Sequence, residues 1–344
     1  MQNKILSLIL IMFLWLFIPS FASDIEVQPT MISRTNAQDR VWVGTFQIVW
    51  NDFIDKYVHA PVRFREGTPA FVYQLNQRTF SAADLADKCY YKYSGNIKKN
   101  TVQNIKKSIL SKFNETSDIL DNLYLYPSYN NFLIYVMLKK DFEFLNEFDK
   151  LGKSSFGKNM TAEYFGIDKN TLPENKKILK SGVKVLYYNN PDDFALVLLT
   201  KTSDELYLYK SNANKEFMSL YKDMNTKAAG YKGEKTLLSE DELKVPNIKF
   251  DVTKIFDELC DKRIMGTNYT ITQAIETIKF NMDNKGVQLK SEAAMTFVES
   301  IAPLKEKNKP RYFYLDNTFV IFLKENGKAN PYFALRVNDI DKFQ

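Results

Sequence analysis

The side chains that most often carry catalysis are scarce and far apart in this sequence. The 344 residues include one histidine, His59, and two cysteines, Cys89 and Cys260. One histidine excludes a multi-histidine metal site, and two distant cysteines exclude a CxxC pair, so we expect no metal and no cofactor. GxSxG, HExxH, phosphate-loop and GxGxxG motifs are also absent. A Cys89–His59 dyad is formally available, but no local motif around either residue supports it.

Carboxylates are the remaining candidates for chemistry. Two acids can meet from any part of a chain, so a carboxylate hydrolase, for example a glycosidase, needs no local motif. The adjacent pair Asp192 and Asp193 follows Asn-Asn-Pro and is typical of a solvated turn. A hydrolase therefore stays as the least favoured alternative, and we expect a protein that is not an enzyme.

The amino terminus has the pattern of a secretory signal peptide. Lys4 is followed by the apolar run Ile5–Ile18 and then by small residues at Ser20 and Ala22. The run is shorter than the roughly 20 residues that a membrane-spanning helix needs. We therefore predict that residues 1–22 are removed after Ala22, that the protein is secreted, and that no membrane attachment remains after cleavage.

Charge and composition limit the classes of protein to which the mature chain can belong. The net charge of the full 344-residue chain, +6, is small, and the charges are mixed along it, which does not favour a nucleic-acid surface. With 45% apolar residues the chain can bury a large core. We expect a polar leader over residues 23–40 and a single domain over residues 41–344, as a monomer. In an oxidising compartment Cys89 and Cys260 could pair, and two buried thiols are the alternative.

Several segments have a clear secondary-structure pattern. Phe46–Tyr57 and Thr101–Phe113 have helical spacing, and shorter helices are expected at Ser117–Leu125 and Val252–Leu259. Phe132–Leu138 is typical of a buried central strand. Strands are also predicted at Val183–Tyr188 and Phe194–Thr200 around an Asn-Pro-Asp turn, and at Thr318–Leu323 and Pro331–Val337. Helices that come mainly early and strands that come mainly late predict an α+β fold with a large, mainly antiparallel central sheet.

One stretch alternates in a way that predicts a strand with one buried face. Gly286 follows a turn signal at residues 283–285. Beyond it, one set of alternate side chains is mainly apolar or small and the other is mainly polar. The first set is Val287, Leu289, Ser291, Ala293, Met295 and Phe297. A charged segment bracketed by Pro303 and Pro310 follows.

The last hundred residues resemble those of a serpin. The segments that carry the resemblance are Leu243–Phe250, Ile278–Gly286, Ser291–Thr296, and the pair Thr318–Phe322 and Phe333–Val337. The resemblance implies a serpin-like fold and a hinge and reactive loop at Gly286, Val287, Leu289, Ser291, Glu292, Ala293 and Ala294. Counting along the loop places the cleaved bond near Ser300 and Ile301.

The resemblance implies a secreted inhibitor of serine or cysteine proteases. A protease would cut the loop, and the freed strand would insert into the central sheet. Burying its apolar face, at about 1.5–3 kcal/mol per side chain, and forming its ladder would give on the order of 20 kcal/mol. Leu289, Lys290 and Met295 are bulkier than the hinge residues of inhibitory members. A secreted binding or surface protein with the same α+β fold and no conformational switch therefore remains the alternative.

Overall fold

A computed structural model of the protein describes residues 25–121, 123, 131–289, 291–292 and 310–344. The described residues include five α-helices. These are α1 (Thr45–Phe53), α2 (Ala70–Leu75), α3 (Thr101–Phe113), α4 (Pro173–Ser181) and α5 (Phe217–Gly230). One π-helical turn, Ile54–Val58, extends α1. The short 3-10 helices are Ala82–Asp84, Asp87–Cys89, Asp257–Leu259 and Ile340–Phe343.

The strands make up the larger part of the described structure. They are β1 (Glu26–Gln28), β2 (Arg40–Val43), β3 (Tyr90–Asn96), β4 (Phe132–Leu138), β5 (Lys140–Glu143), β6 (Asp149–Phe156), β7 (Met160–Ile167), β8 (Val183–Asn190), β9 (Asp193–Leu199), β10 (Asp204–Lys210), β11 (Glu242–Pro246), β12 (Ile248–Ile255), β13 (Ile275–Met282), β14 (Gly286–Leu289), β15 (Ser291–Glu292), β16 (Tyr312–Tyr314), β17 (Phe319–Glu325) and β18 (Phe333–Val337).

The largest sheet has seven strands in the order β1-β2-β18-β17-β10-β9-β8. Every neighbouring pair in it is antiparallel except β1 with β2. The turn between β8 and β9 and the pairing of β17 with β18 match the sequence expectations. The prediction of an α+β fold with a large, mainly antiparallel sheet is confirmed.

Two further sheets meet at the region of interest. One has the order β12-β13-β14-β5-β15, and the other pairs β3 with β4. Only Lys139 separates β4 from β5, and its N–H donates to the Cys89 carbonyl at 3.0 Å. The two strands therefore form one nearly continuous line. A fourth sheet has the order β16-β11-β7-β6.

The core fills the spaces between these sheets. The main cluster packs the seven-stranded sheet against β7, β11, β12 and β13. A second cluster lies under α1 and includes Phe46, Trp50, Phe53 and Phe256. The helical spacing seen in the sequence explains why these α1 side chains share a buried face.

Several local expectations differ from the structure. Residues 25–40 are not a loose leader, because β1 pairs with β2 and buries Ile25 and Val27. Residues 248–255 form β12, so the short helix expected at Val252–Leu259 is reduced to the single turn Asp257–Leu259. Val252, Thr253 and Ile255 are β-branched, which favours a strand, and β12 pairs with β13 along its whole length. The described part of Ser117–Leu125 contains no helix.

Two further observations concern the cysteines and membrane-spanning helices. Cys89 and Cys260 both lie in the described part and are thiols, not a disulfide. No helix among the described residues is long and apolar enough to cross a membrane. The proposed signal peptide, residues 1–22, lies outside the described residues.

Candidate functional site

A tight hairpin joins β13 to β14 at the start of the predicted hinge. Within the turn, the Asp283 N–H donates to the Gly286 carbonyl at 3.1 Å, and the Lys285 N–H donates to Asp283 Oδ1 at 2.9 Å. Asn284 is buried and donates to Glu147 Oε1 at 2.8 Å. These bonds hold the turn against the body of the protein.

Glycine is required at position 286 because another backbone passes close to it. A Cβ at Gly286 would lie 2.1 Å from the Phe142 carbonyl oxygen and 2.7 Å from the Glu143 Cα. Neither backbone atom can move without disturbing β5. The glycine that follows Asp283-Asn284-Lys285 in the sequence therefore has a steric cause at this turn.

Strand β14, which we call the hinge strand, is inserted between two others. It pairs antiparallel with β13, where Leu289 lies opposite Phe280. It also pairs antiparallel with β5, where Val287 lies opposite Phe142. Val287 and Leu289 are buried while Gln288 is exposed, as the sequence alternation predicts. Strands β13 and β5 consequently run parallel to each other.

Beyond Leu289 the strands that flank the hinge strand are no longer joined. Residues 275–279 of β13 pair with β12 alone, and β4 pairs with β3 alone, among the strands of the described chain. The opposite edges of these two segments therefore face an opening, which we call the sheet gap. Backbone groups along such edges can accept another strand.

A cavity of about 680 Å³ lies at the sheet gap. Its apolar wall comes mainly from α1, β4 and β13, with Phe46, Trp50, Phe53, Ile134, Ile271 and Ile278 among the lining residues. Because Phe132 and Ile134 line this cavity, they are only half-buried, and β4 is not covered on both faces as the sequence suggests. Two acids line its described part: Glu276, which is buried, and Asp118, which pairs with Lys279 at 3.0 Å.

A buried ionic cluster lies beside the hinge strand. The Lys140 ammonium donates to Asp204 Oδ1 and to Glu325 Oε1, each at 2.6 Å. Asp204 also accepts from the Tyr332 hydroxyl at 2.9 Å, and Glu325 accepts from the Ala86 N–H at 3.1 Å. All three charged side chains are at least 94% buried. Such a cluster is costly to break because each partner would be left charged and dry.

The charges in this cluster support one another. Burial alone would lower the pKa of Lys140, but Asp204, Cys89 and Glu325 together raise it above its usual value. Burial raises the pKa of the Cys89 thiol and, strongly, that of the Tyr332 hydroxyl. Lys140 therefore stays protonated beside the hinge strand.

The structure brings only part of the sequence-predicted site together. Gly286, Val287 and Leu289 lie side by side in the hinge strand. Ser291 and Glu292 form β15, which pairs in parallel with Lys140 and Asp141, so the chain leaves the path of the hinge strand after Leu289. Ala293, Ala294, Ser300 and Ile301 lie outside the described residues.

Sequence reasoning missed the buried cluster. Lys140, Asp204 and Glu325 come from three distant segments, and each ends or begins a strand where charged residues are usually solvated. The only local signal is a pair of lysines directly after the apolar run Phe132–Leu138.

No known family profile matches the sequence, and no curated protein matches it. Among solved structures, the chain is similar to Serpin48, a highly specific serpin of the insect Tenebrio molitor. The identity is 14%, the match covers 88% of this chain and 92% of that chain, and the TM-score is 0.45. Human thyroxine-binding globulin complexed with thyroxine is similar at 11% identity, over 70% of this chain and 64% of that chain, with a TM-score of 0.41. A further thyroxine-binding globulin complex matches at 12% identity, over 74% and 77%, also with a TM-score of 0.41.

Proposed function

We propose that this protein is a secreted, serpin-like inhibitor of serine or cysteine proteases that acts by loop cleavage and strand insertion, without catalysis of its own. One observation carries the proposal. The hinge strand is hydrogen-bonded on both edges, and it stands at the head of a sheet gap bounded by β4 and β13. After removal of residues 1–22 the chain would act as one domain, in which residues 25–40 belong with the expected domain 41–344.

The register of the hinge strand defines where an inserted strand would lie. Each further residue would pair one position back along β13 and β4, because the ladder is antiparallel on both sides. Ser291 would then lie opposite Ile278, and Ala293 opposite Glu276. These two small side chains would continue the inward face of Val287 and Leu289.

Insertion in this register would be strongly favourable. It would pair the free edge of β4 over up to seven residues and that of β13 over five. Each new hydrogen bond contributes about 1 kcal/mol, and burial of Met295 and Phe297 would add about 1.5–3 kcal/mol each. The sum is on the order of 10–20 kcal/mol, which is enough to make the cut form far more stable than the intact form.

The test is limited proteolysis of the purified mature protein followed by thermal unfolding of both forms. We expect a cut between residues 290 and 305 and a rise in melting temperature of roughly 20 °C or more. A stable complex with the attacking protease would then be sought by denaturing electrophoresis. Cleavage without a gain in stability would contradict the inhibitor proposal and favour the non-switching binding protein.

A pair of proline variants makes this test specific. Ala294→Pro removes an N–H that an inserted strand would need, so its cut form should gain little stability. Lys307→Pro introduces a proline beyond the proposed cleavage site. Its cut form should gain as much thermal stability as the cut wild type. Equal gains in both variants would show that insertion does not proceed through residue 294.

The hydrolase alternative receives less support from the cavity. Such an enzyme needs two acids facing one substrate, at least one of them with a raised pKa. Glu276 meets the second condition, but the other acid in the described lining, Asp118, is paired with Lys279.

A further inference from the structure

The cavity at the sheet gap contains a carboxyl group that protein atoms do not fully satisfy. Glu276 is 4% exposed, and its Oε1 accepts a hydrogen bond from the Thr45 hydroxyl at 2.5 Å. Its Oε2 is buried and has no hydrogen-bond partner among the described residues. Leaving a buried oxygen without a donor is unfavourable, so a ligand that supplies a donor would offset this cost.

The surroundings of Glu276 are apolar on most sides. Phe46, Trp50, Ile134 and Ile278 are among the lining residues, and the volume of about 680 Å³ is typical of a small-molecule site. Among the described residues, the charged groups of the lining besides Glu276 are Asp118 and Lys279, which pair with each other. Lys279 is 45% exposed, which places this pair at the rim.

Burial sets the protonation of this group. It raises the pKa of Glu276 to about 8, and hydrogen bonds from the Thr45 hydroxyl and the Phe46 N–H offset only part of that effect. At pH 7 the carboxyl group is therefore mainly protonated, and it can be ionised by a cation that enters the cavity.

We propose that this cavity binds an apolar amine whose ammonium group donates a hydrogen bond to Glu276. The hydrocarbon part of the ligand would contact the apolar wall. The ammonium would form an ion pair that is strong because the surrounding wall is mainly apolar. A carboxylate ligand would lose its hydration in this apolar cavity, where the lysine of the described lining, Lys279, is already paired with Asp118. This site goes beyond protease inhibition and does not depend on it.

The proton balance of binding follows from these protonation states. An aliphatic amine is already an ammonium in neutral water, so the proton of Glu276 passes to the buffer when the ion pair forms. At pH 7 close to one proton is released per ligand, and the number falls toward zero above pH 9. A ligand without charge releases none.

The test is isothermal titration calorimetry of the intact protein with three ligands of one shape. They are 1-adamantylamine, 1-adamantanol and 1-adamantanecarboxylate, each titrated at pH 7 in phosphate and in Tris, which differ in heat of ionisation. We expect the amine to bind at least about tenfold more tightly than the alcohol, with proton release, and the carboxylate not to bind.

Three variants assign the effect to this cavity. Glu276→Gln should remove both the preference for the amine and the proton release. Glu258→Gln, which changes an exposed acid close to the lining residue Leu259, should change neither. Ile134→Trp places a larger ring in the cavity and should weaken binding of amine and alcohol alike.

Absence of amine binding, equal binding of the alcohol, or unchanged amine binding by Glu276→Gln would each overturn the inference. If Glu276→Gln does not fold, proton release by the wild type and the behaviour of Ile134→Trp decide the matter. Thermal stabilisation after loop cleavage is measured without any ligand, so failure of this inference and failure of the proposed function are distinguishable.

Discussion

Leu289, the last residue of the hinge strand, lies directly opposite Lys140 of β5. The end of the hinge therefore rests on the strand that supplies the buried cation of the cluster with Asp204 and Glu325. Pairing at the head of the sheet gap and the integrity of that ionic cluster are properties of the same short strand. Substitutions in the cluster should consequently alter the pairing of the hinge strand with β5.

Substitution of Lys140 by methionine should strongly destabilise the protein. The change leaves Asp204 and Glu325 buried without their cation, which costs about 3–5 kcal/mol. Urea unfolding at pH 7 measures this loss. Because the pKa of Lys140 is raised in the folded state, its contribution is fully present below its usual pKa and is lost as the pH rises through the raised value. The difference between wild type and variant should therefore shrink only in strong alkali.

Lys201→Met provides the matched control. Lys201 pairs with Glu143 at the surface, and the two side chains are 47% and 67% exposed. An exposed pair of this kind contributes about 0–1 kcal/mol. Equal effects of the two lysine substitutions would contradict the importance of burial in the Lys140 cluster.

Substitution of Gly286 by alanine should weaken the attachment of the hinge strand. The added Cβ would collide with the backbone of Phe142 and Glu143, at a cost of about 1–3 kcal/mol. We expect lower stability and faster proteolysis after residue 286. Gly230→Ala is the control, because no atom lies within 4 Å of the added Cβ and its φ is not positive. Normal protease resistance of Gly286→Ala would mean that β5 can move aside.

Stability should depend on pH through Glu276. The folded-state pKa of about 8 exceeds the usual value, so the folded protein holds a proton that the unfolded chain has lost between about pH 4.5 and 8. Stability from this group is present below that range and declines across it, by at most about 1.4 kcal/mol per pH unit. Glu276→Gln should remove this decline. Its free energy of unfolding should therefore increase relative to that of the wild type as the pH approaches 8. Urea titrations at pH 5, 6.5 and 8 test this, with Glu258→Gln expected to follow the wild type.

The two thiols should differ in reactivity. Burial raises the pKa of both, but Cys89 is 2% exposed whereas Cys260 is half-buried. In the native protein we expect a thiol reagent to label Cys260 first, and to reach Cys89 only on unfolding. Mass spectrometry of the labelled protein counts the sites. A chain that takes up no reagent until it is reduced would indicate a disulfide.

The turn before Gly286 and the alternation along β14 were predictable because their determinants are local. The turn at Asp283, the glycine at 286 and the alternation of Val287 and Leu289 all act within a few residues. The helix Thr101–Phe113 and the closing strands β17 and β18 were predictable for the same reason. A short periodic pattern specifies which face is buried whatever lies opposite it.

The features that escaped prediction depend on distant partners. Lys140, Asp204 and Glu325 meet only after three segments have folded together, and no local pattern marks their contact. Glu276 is one polar residue in an alternating strand, and its burial follows from where α1 packs. Residues 252–255 are mainly β-branched, and their place at the end of β12 follows from its full-length pairing with β13.

The double pairing of the hinge strand also has a kinetic consequence. Starting a new strand within a sheet normally requires a slow search among alternative registers, with an entropic cost that is met before any bond forms. Here the alignment with β13 and with β5 is set when the protein folds. Growth from Leu289 would thus begin from an existing nucleus and add residues in order, so its speed would depend on release of the chain and not on finding the correct alignment.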